Sequence, residues 1–549
     1  MKRQNKDKTS PPDLTSHSIG TGPIRTQRPV YVDLLPPCNH ACPAGENIQA
    51  WLALAQDKKF EEAWQVIMQD NPMPAIMGRV CYHPCEDGCN RTAIDSPVSI
   101  HAIERFLGDE AIHKNWKVTF EKKPDGKRVL IIGAGPSGLS AAYHLTRMGH
   151  SVEIHEAGPI AGGMMHFGIP AYRLPRHILD HEIQRITAMG VKIVLNHKVE
   201  DVLSEKKTGG FDAVFIAVGA HLLKKIDIPS NDAVKIFDAI TFLKQVERGE
   251  KPKIGRRVAI YGGGNTAMDV ARTAKRMGAL EAMVIYRRDK EHMSAHEFEA
   301  EEALEEGVKI NWLRTIKTMD ENTFTVEIMK LVDGKPIPTG QFEKLEADTL
   351  ILAVGQDTDT TFLKSIKGIE FKQDGTVIVN SEMMTGYKGI FAGGDMIPSE
   401  RSVTVAIGHG KKAARNIDAF LRKTPYLKVP KHPIVGPEKL HLWYKTNAPQ
   451  KEQASLDAQK RMEGFDEIKA GLSEEEVLFE SQRCLSCGNC FECDGCYAAC
   501  PEEAIIKLGP GKRYEYNFDR CTGCAICYEQ CPCHAIEMIP EPKNLRLCP

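Results

Sequence analysis

The stretch KRVLIIGAGPSGLSAAYHL, residues 127–145, decides the fold. An apolar, β-rich run ends at Gly133, and Gly133, Gly135 and Gly138 form a G-x-G-x-x-G turn that opens an apolar helix. Glycines there let the backbone approach a pyrophosphate, whose charge sits at the helix N-terminus. Taken alone the motif is weak. Here a second strand, SVEIHEA, follows and reaches Glu156, roughly twenty residues on, where a carboxylate can accept ribose hydroxyl bonds. The bland reading is an ordinary tight turn; the context favours a dinucleotide site.

Residues 256–278, RRVAIYGGGNTAMDVARTAKRMG, repeat the pattern with Gly262, Gly264 and Ala267. The strand after it, AMVIYRR, ends in Arg287 and Arg288, where the first unit has Glu156. A guanidinium at that place can pair with a ribose 2′-phosphate that an acid would repel; the plainer alternative is a solvated arginine pair. The first unit therefore reads as an FAD site and the second as an NADP(H) site. FDAVFIAVGA (211–220) and ADTLILAVGQ (347–356) are apolar strands placed where the chain can pass between the two. A further strand, KGIFAGGDM, ends in Gly393, Gly394 and Asp395 ahead of a helix, which suits a flavin's ribitol and pyrophosphate. Gly163 and Asn265 complete the candidate dinucleotide set.

Seventeen cysteines fall toward the two ends, and none lies between Cys89 and Cys484. Thiol–disulfide exchange beside the flavin is therefore not expected. Near the C-terminus, Cys490, Cys493, Cys496 and Cys500–Pro501 are echoed by Cys521, Cys524, Cys527 and Cys531–Pro532. In this rhythm three thiolates wrap one [4Fe–4S] cluster and the fourth cysteine ligates its neighbour. That assigns Cys490, Cys493, Cys496 and Cys531 to one cluster, and Cys521, Cys524, Cys527 and Cys500 to the other. Zinc ribbons do not need the doubled pattern with prolines, and disulfides belong to oxidising compartments.

The whole chain sets broad bounds. Its 549 residues allow several domains, about three or four. A formal net charge of −2 gives no argument for a nucleic-acid partner. The first residues, MKRQNKDKTSPPDL, are polar and basic, neither signal peptide nor anchor, and read as a disordered arm. No apolar run approaches bilayer length, so no membrane association is expected. Many cysteines without a secretion signal point to a reducing cytoplasm.

The chain resembles the family of the NADPH-dependent glutamate synthase small subunit and the matching half of dihydropyrimidine dehydrogenase. The likeness runs from about residue 36 to 420, on CNHACPAGENIQAW, GRVCYHPCEDGCNR, GAGPSGLSAA, GGGNTAMDVARTAKRMGA, VIYRRD and FAGGD. The last sixty or so residues, through AIEMIPEP, resemble the ferredoxin-like delta subunit of 2-oxoacid:ferredoxin oxidoreductases. Family members carry an N-terminal helical domain with two [4Fe–4S] clusters, the first beginning with R-C-x-x-C ahead of the position of Cys38. That motif is missing there. Residues 461–488, RMEGFDEIKAGLSEEEVLFESQRCLSCG, look like the family's own N-terminal segment moved downstream.

Carried over by motif, the resemblance implies that Cys484 and Cys487 join Cys38 and Cys89 around one cluster. It further implies that Cys42, Cys81 and Cys85 hold the other, with Glu104 at the position of the family's non-cysteine ligand. The alternatives are a spare cysteine pair and a surface helix acid. Cys533 and Cys548 receive no role.

The expected fold is α/β: two Rossmann-like domains with the NADP domain inserted in the FAD domain, an N-terminal α-helical Fe–S domain and a C-terminal α+β bacterial ferredoxin-like domain. The expected order begins with an arm (1–35) and the helical domain (36–120). The first segment of the FAD domain (121–245), the NADP domain (246–350) and the second segment of the FAD domain (351–425) come next. A linker and returning helix (426–480) and the ferredoxin-like domain (481–549) follow. FAD, NADP(H) and [4Fe–4S] clusters imply an oxidoreductase moving electrons between NAD(P)H and ferredoxin or a partner oxidoreductase subunit. Such a partner could be a 2-oxoacid oxidoreductase or a glutamate-synthase-like large subunit. The rival class is an electron relay active only inside a complex. No catalytic side chain is named, because nothing in this chemistry demands an acid or base.

Overall fold

The computed structural model describes residues 25–119, 126–224, 228–229, 235–320, 322–428, 430–509 and 511–542. The first glycine-rich unit builds a five-stranded parallel sheet in the order Ile390–Ala392, Ala213–Ile216, Arg128–Ile132, Ser151–His155, Lys192–Val194. Val129, Leu130 and Ile131 are wholly buried, as are Val214, Phe215 and Ile216. Such near-continuous apolar strands are what a parallel sheet covered on both faces requires. The edge strand Ile390–Ala392 is supplied by chain that returns after the second unit, so the second unit is inserted in the first.

The second unit is also a five-stranded parallel sheet, ordered Lys309–Trp312, Glu281–Tyr286, Arg257–Tyr261, Thr349–Leu352, Lys235–Asp238. An antiparallel three-stranded meander, Arg314–Asp320, Thr323–Val332 and Lys335–Glu346, is attached to it. The passages between units are tied by a short antiparallel pair, Leu222–Leu223 with Gln356–Asp357. The sheet corrects the expected boundary at 246, since the unit already includes the strand Lys235–Asp238 and the helix Ala239–Glu247. KIFD is a half-exposed edge strand with no apolar run to announce it. Its Asp238 side chain caps the helix by accepting from the Ile240 and Thr241 amides.

Ahead of these units stand the helices Ile48–Gln56, Phe60–Ile67, Pro74–Val80 and Ile100–His113, with the single turns Pro37–Ala41 and Pro84–Asp87, built around the fully buried Trp51 and Trp64. The tail helix Glu474–Gln482 starts with a capping box between Ser473 and Glu476. It packs on Ile48–Gln56 and is pinned there by Gln56 Nε2 donating to Ser481 O at 2.7 Å.

The expected disordered arm needs correction as well. Residues 1–24 and Cys548 lie outside the described residues. Gln27–Tyr31, however, is a strand antiparallel to Ile536–Pro540, and Arg25 forks onto Glu541 with two 2.8 Å hydrogen bonds. A five-residue strand cannot hold itself, and its partner lies five hundred residues away in sequence, so nothing local reveals it. Among the described residues no helix is long and apolar enough to cross a membrane.

Candidate dinucleotide and iron–sulfur sites

A cavity of about 530 Å³ opens between the two sheets and the N-terminal helices. Gly133, Gly135, Glu156, Gly163, Asn265, Gly394 and Asp395 all line it. Gly133 has φ +105°, and a Cβ on it would stand 2.4 Å from Ala217 O; only glycine lets the turn lie that close to the next strand. Gly138 is covered, because a Cβ there would meet Gly133 O at 2.0 Å. Its part is the tight packing of helix on turn. Glu156 accepts from the amides of Ala134 (2.8 Å) and Gly158 (2.7 Å), which fixes its carboxylate at the cavity wall. Burial pushes the Asp395 carboxyl up to about 6, with Arg401 opposing the shift.

The residues present fit a flavin dinucleotide. Ser137 Oγ at the start of the helix Pro136–Arg147 is buried without a hydrogen-bond partner, and the space beside Gly135 is open. An anionic oxygen at this helix N-terminus would satisfy both.

In the second turn only Asn265 and its neighbour Thr266 reach this cavity. Gly262 has φ +147°, and a Cβ on it would stand 2.1 Å from Ala353 O, repeating the first turn's close packing, whereas Gly264 faces open space. Ala267 is buried under the turn. Arg287 is exposed and Arg288 half-buried just beyond the strand Glu281–Tyr286.

The two units are clamped by a buried ion cluster. Arg173 of the first meets Asp269 at 2.8 Å and Glu299 at 2.6 Å in the second. Sequence reading missed Arg173, as a single arginine in a loop carries no periodic signal.

The cysteines gather into sets drawn from distant segments. Cys38, Cys89, Cys484 and Cys487 line one recess. Burial pushes the Cys38 thiol well up, and Cys484, Cys89 and Cys487 beside it add to the shift. Such thiols stay protonated until a metal displaces the proton.

Cys42, Cys81 and Cys85 form a second group. Burial raises Cys42, with Glu46, Glu104 and Cys81 among the neighbours that raise it further. Glu104 is buried rather than a surface acid, and Asn71 Nδ2 donates to it at 2.7 Å and to Glu46 at 3.0 Å. Glu46 was not foreseen. Its place four residues after Cys42 was the available signal, and burial pushes its carboxyl up to about 7.

In the C-terminal unit Cys500, Cys521, Cys524 and Cys527 line a single recess. Cys490, Cys493 and Cys496 each lie beside Cys531. The fourth cysteine of each run thus crosses to the other set. Left-handed residues at Ser486, Glu492, Asp494 and Ala525 curl these loops so that backbone amides turn inward. Sulfurs accordingly accept hydrogen bonds: Cys484 from Ser486 N at 3.4 Å, Cys500 from Ala504 N at 3.3 Å, Cys531 from Ala535 N at 3.3 Å. These donor sets fit iron–sulfur clusters. Cys533, given no role from sequence, is buried with its sulfur 3.8 Å from that of Cys531.

The "Pyridine nucleotide-disulphide oxidoreductase" family model matches residues 117–410. The chain belongs to this family. Around that core, the "Dihydropyrimidine dehydrogenase domain II, 4Fe-4S cluster" model matches residues 31–116 and a "4Fe-4S binding domain" model matches 514–537. The beta subunit of NADP(+)-dependent formate dehydrogenase from Moorella thermoacetica is 34% identical over 500 residues, 82% of this chain and 70% of that protein. The small chain of NADPH glutamate synthase from Escherichia coli K12 is 32% identical over 418 residues, 70% of this chain and 89% of its own length. Thioredoxin reductase from Lactococcus lactis superposes with a TM-score of 0.44 at 21% identity, covering 54% of this chain and 99% of that one.

This pyridine nucleotide-disulphide oxidoreductase is an iron–sulfur flavoprotein with the FAD, NADP(H) and [4Fe–4S] cofactors of its family models. It departs from the family name in one respect: no cysteine lies between Cys89 and Cys484, and none of the described cysteines forms a disulfide.

Proposed function

We propose that the chain oxidises NADPH and sends the electrons singly through its cysteine sets to ferredoxin or a partner oxidoreductase subunit in a reducing cytoplasm. The observation that carries this reading is the place of Cys81. Val80 and Tyr82, the residues on either side of it, both line the dinucleotide cavity, so the Cys42, Cys81, Cys85 and Glu104 set begins at the cavity wall. Cys38 and Cys42 share one short segment, as do Cys487 and Cys490. The sets therefore follow one another from the cavity to the C-terminal unit.

In this reading Gly133, Gly135 and Ser137 hold the flavin pyrophosphate, Glu156 a ribose, and Asp395 with Gly394 the ribitol end. Gly163 closes over the turn, since a Cβ there would stand 3.0 Å from the Gly135 Cα. Gly262, Gly264, Asn265 and Ala267 cradle NADP(H), and Arg287 with Arg288 takes its 2′-phosphate. Bound flavin supplies the exchange between hydride pairs and single electrons. The side chains contribute placement: Tyr82 stacks on His296 with ring centres 3.7 Å apart and accepts a 2.6 Å hydrogen bond from Asn265 Nδ2. That joins the cysteine-bearing segment to the nucleotide turn.

The test is turnover of the anaerobically purified chain with NADPH and ferredoxin. Reduction of ferredoxin by the isolated chain supports an independent enzyme. Bleaching of its own iron–sulfur absorption without transfer to ferredoxin supports the relay-subunit reading, which the names of its relatives as a beta subunit and a small chain favour. No bleaching with NADPH overturns both.

A further inference from the structure

Three side chains from separate elements converge at the rim of the dinucleotide cavity, where neither the cysteine sets nor the dinucleotide reading gives them a role. His155 ends the strand Ser151–His155, His197 follows the strand Lys192–Val194, and Glu205 lies on the helix Val202–Thr208. One potential ligand atom from each lies within 4.8 Å of the other two. Glu205 Oε1 is the shared centre, 3.0 Å from His155 Nδ1 and 2.8 Å from His197 Nε2.

His155 gives the arrangement its direction. The residue is 6% exposed, and its Nδ1 is buried without a hydrogen bond. Its other nitrogen, Nε2, lies 3.0 Å from Glu153 Oε1. Nδ1 lies 3.0 Å from Glu205 Oε1 yet is not aligned to hydrogen-bond it. An ion touching both atoms would satisfy a buried nitrogen that no hydrogen bond reaches. A histidine fixed by a carboxylate on its far nitrogen is also the usual outer support of a metal-binding imidazole.

We propose that His155 Nδ1, His197 Nε2 and Glu205 bind a divalent transition metal of borderline softness, of which zinc is the type. Two imidazoles and a carboxylate suit such an ion better than calcium or magnesium, which take oxygen ligands. His197 and Glu205 are part-exposed, leaving room for a water as fourth ligand. His155 and His197 also line the dinucleotide cavity. The metal's part is structural, fastening the segment after Val194 to the end of the strand Ser151–His155, next to Glu156. The inference is independent of the electron path proposed above.

The experiment uses the full chain with its flavin and iron, treated with a mild chelator and then given one equivalent of zinc chloride. Zinc K-edge absorption reads the neighbours. Nitrogen and oxygen at about 2.0–2.2 Å with an imidazole pattern are expected, whereas sulfur at about 2.3 Å would place the zinc in a cysteine set and overturn the proposal. Glu205→Gln is expected to abolish the bound equivalent while iron and flavin counts stay at wild-type values, and His197→Gln, which also alters the wall of the dinucleotide cavity, to abolish it whatever the flavin count. Glu153→Gln, which loosens only the outer support, is expected to weaken zinc binding about 10- to 100-fold. Zinc uptake that is absent, or equal in wild type and both ligand variants, overturns it. The counts of iron and flavin separate loss of the site from loss of the fold.

Discussion

Thr404 Oγ1 donates a 3.1 Å hydrogen bond to Cys81 Sγ. The threonine belongs to the first turn of the helix Val403–Arg422, whose N-cap Ser402 accepts from the Val405 amide. Ser402 and Val403 line the dinucleotide cavity. One hydroxyl thus joins the cavity wall to the nearest cysteine set, and the positive end of a twenty-residue helix faces the same sulfur.

That contact predicts an electrochemical effect. Donors to cluster sulfurs stabilise the more negative, reduced form and raise its potential. Thr404→Val is expected to lower the potential of one cluster by about 50 mV, the one-electron equivalent of about 1 kcal/mol, or roughly one ordinary hydrogen bond. A redox titration followed by electron paramagnetic resonance measures it. An unmoved potential at unchanged iron content would show that Cys81 ligates no cluster.

Four cysteine sets predict about sixteen iron atoms and one FAD per chain. Cys484→Ser is expected to remove about four irons and to expose the tail to protease, because Cys484 shares its recess with Cys38 and Cys89. Loss of iron with no change in cleavage would separate the metal from the fastening of the tail.

In the proposed reading, nucleotide choice rests on Arg287 and Arg288. A charge-assisted contact to the 2′-phosphate contributes about 1.5–3 kcal/mol, so NADPH is expected to exceed NADH roughly ten- to a hundredfold in kcat/KM. The double substitution Arg287→Ala with Arg288→Ala is expected to erase that ratio through KM. Equal constants in the wild type would refute the assignment.

The tail is also held by Arg483, which is 2% exposed at its side chain and pairs with Asp95 at 3.0 Å and Glu480 at 2.8 Å. It donates further to the carbonyls of Ser96 and Pro97, both at 2.7 Å. Removing one member of such a buried set leaves the others uncompensated, at about 3–5 kcal/mol. Arg483→Ala is expected to speed cleavage within residues 426–482 roughly 10²- to 10³-fold or more in the cluster-free chain. An unchanged rate would show that other contacts hold the tail.

The sequence alone was enough wherever the signal is local. The turns at Gly133 and Gly262, the apolar strands that feed them and the three-cysteine runs from Cys490 and Cys521 each place their partners within a few residues, and the repeat of the rhythm names the fourth ligand of each. Sterics and ligand spacing act at that range, so the pattern can be read directly. What the tertiary structure decided lies where partners are far apart in the chain. Gln27–Tyr31 needs the edge offered by Ile536–Pro540. Lys235–Asp238 is a strand because Thr349–Leu352 pairs with it. Arg173 finds its carboxylates on the other unit, and Glu46 is drawn into the Cys42 set by burial. For Cys484 and Cys487 the motif named the residues, but only the packing of the tail helix on Ile48–Gln56 brings them beside Cys38. Spacing along the chain fixes what a short segment can bind, whereas contacts between distant segments depend on how whole elements bury their apolar faces, and no local pattern encodes that.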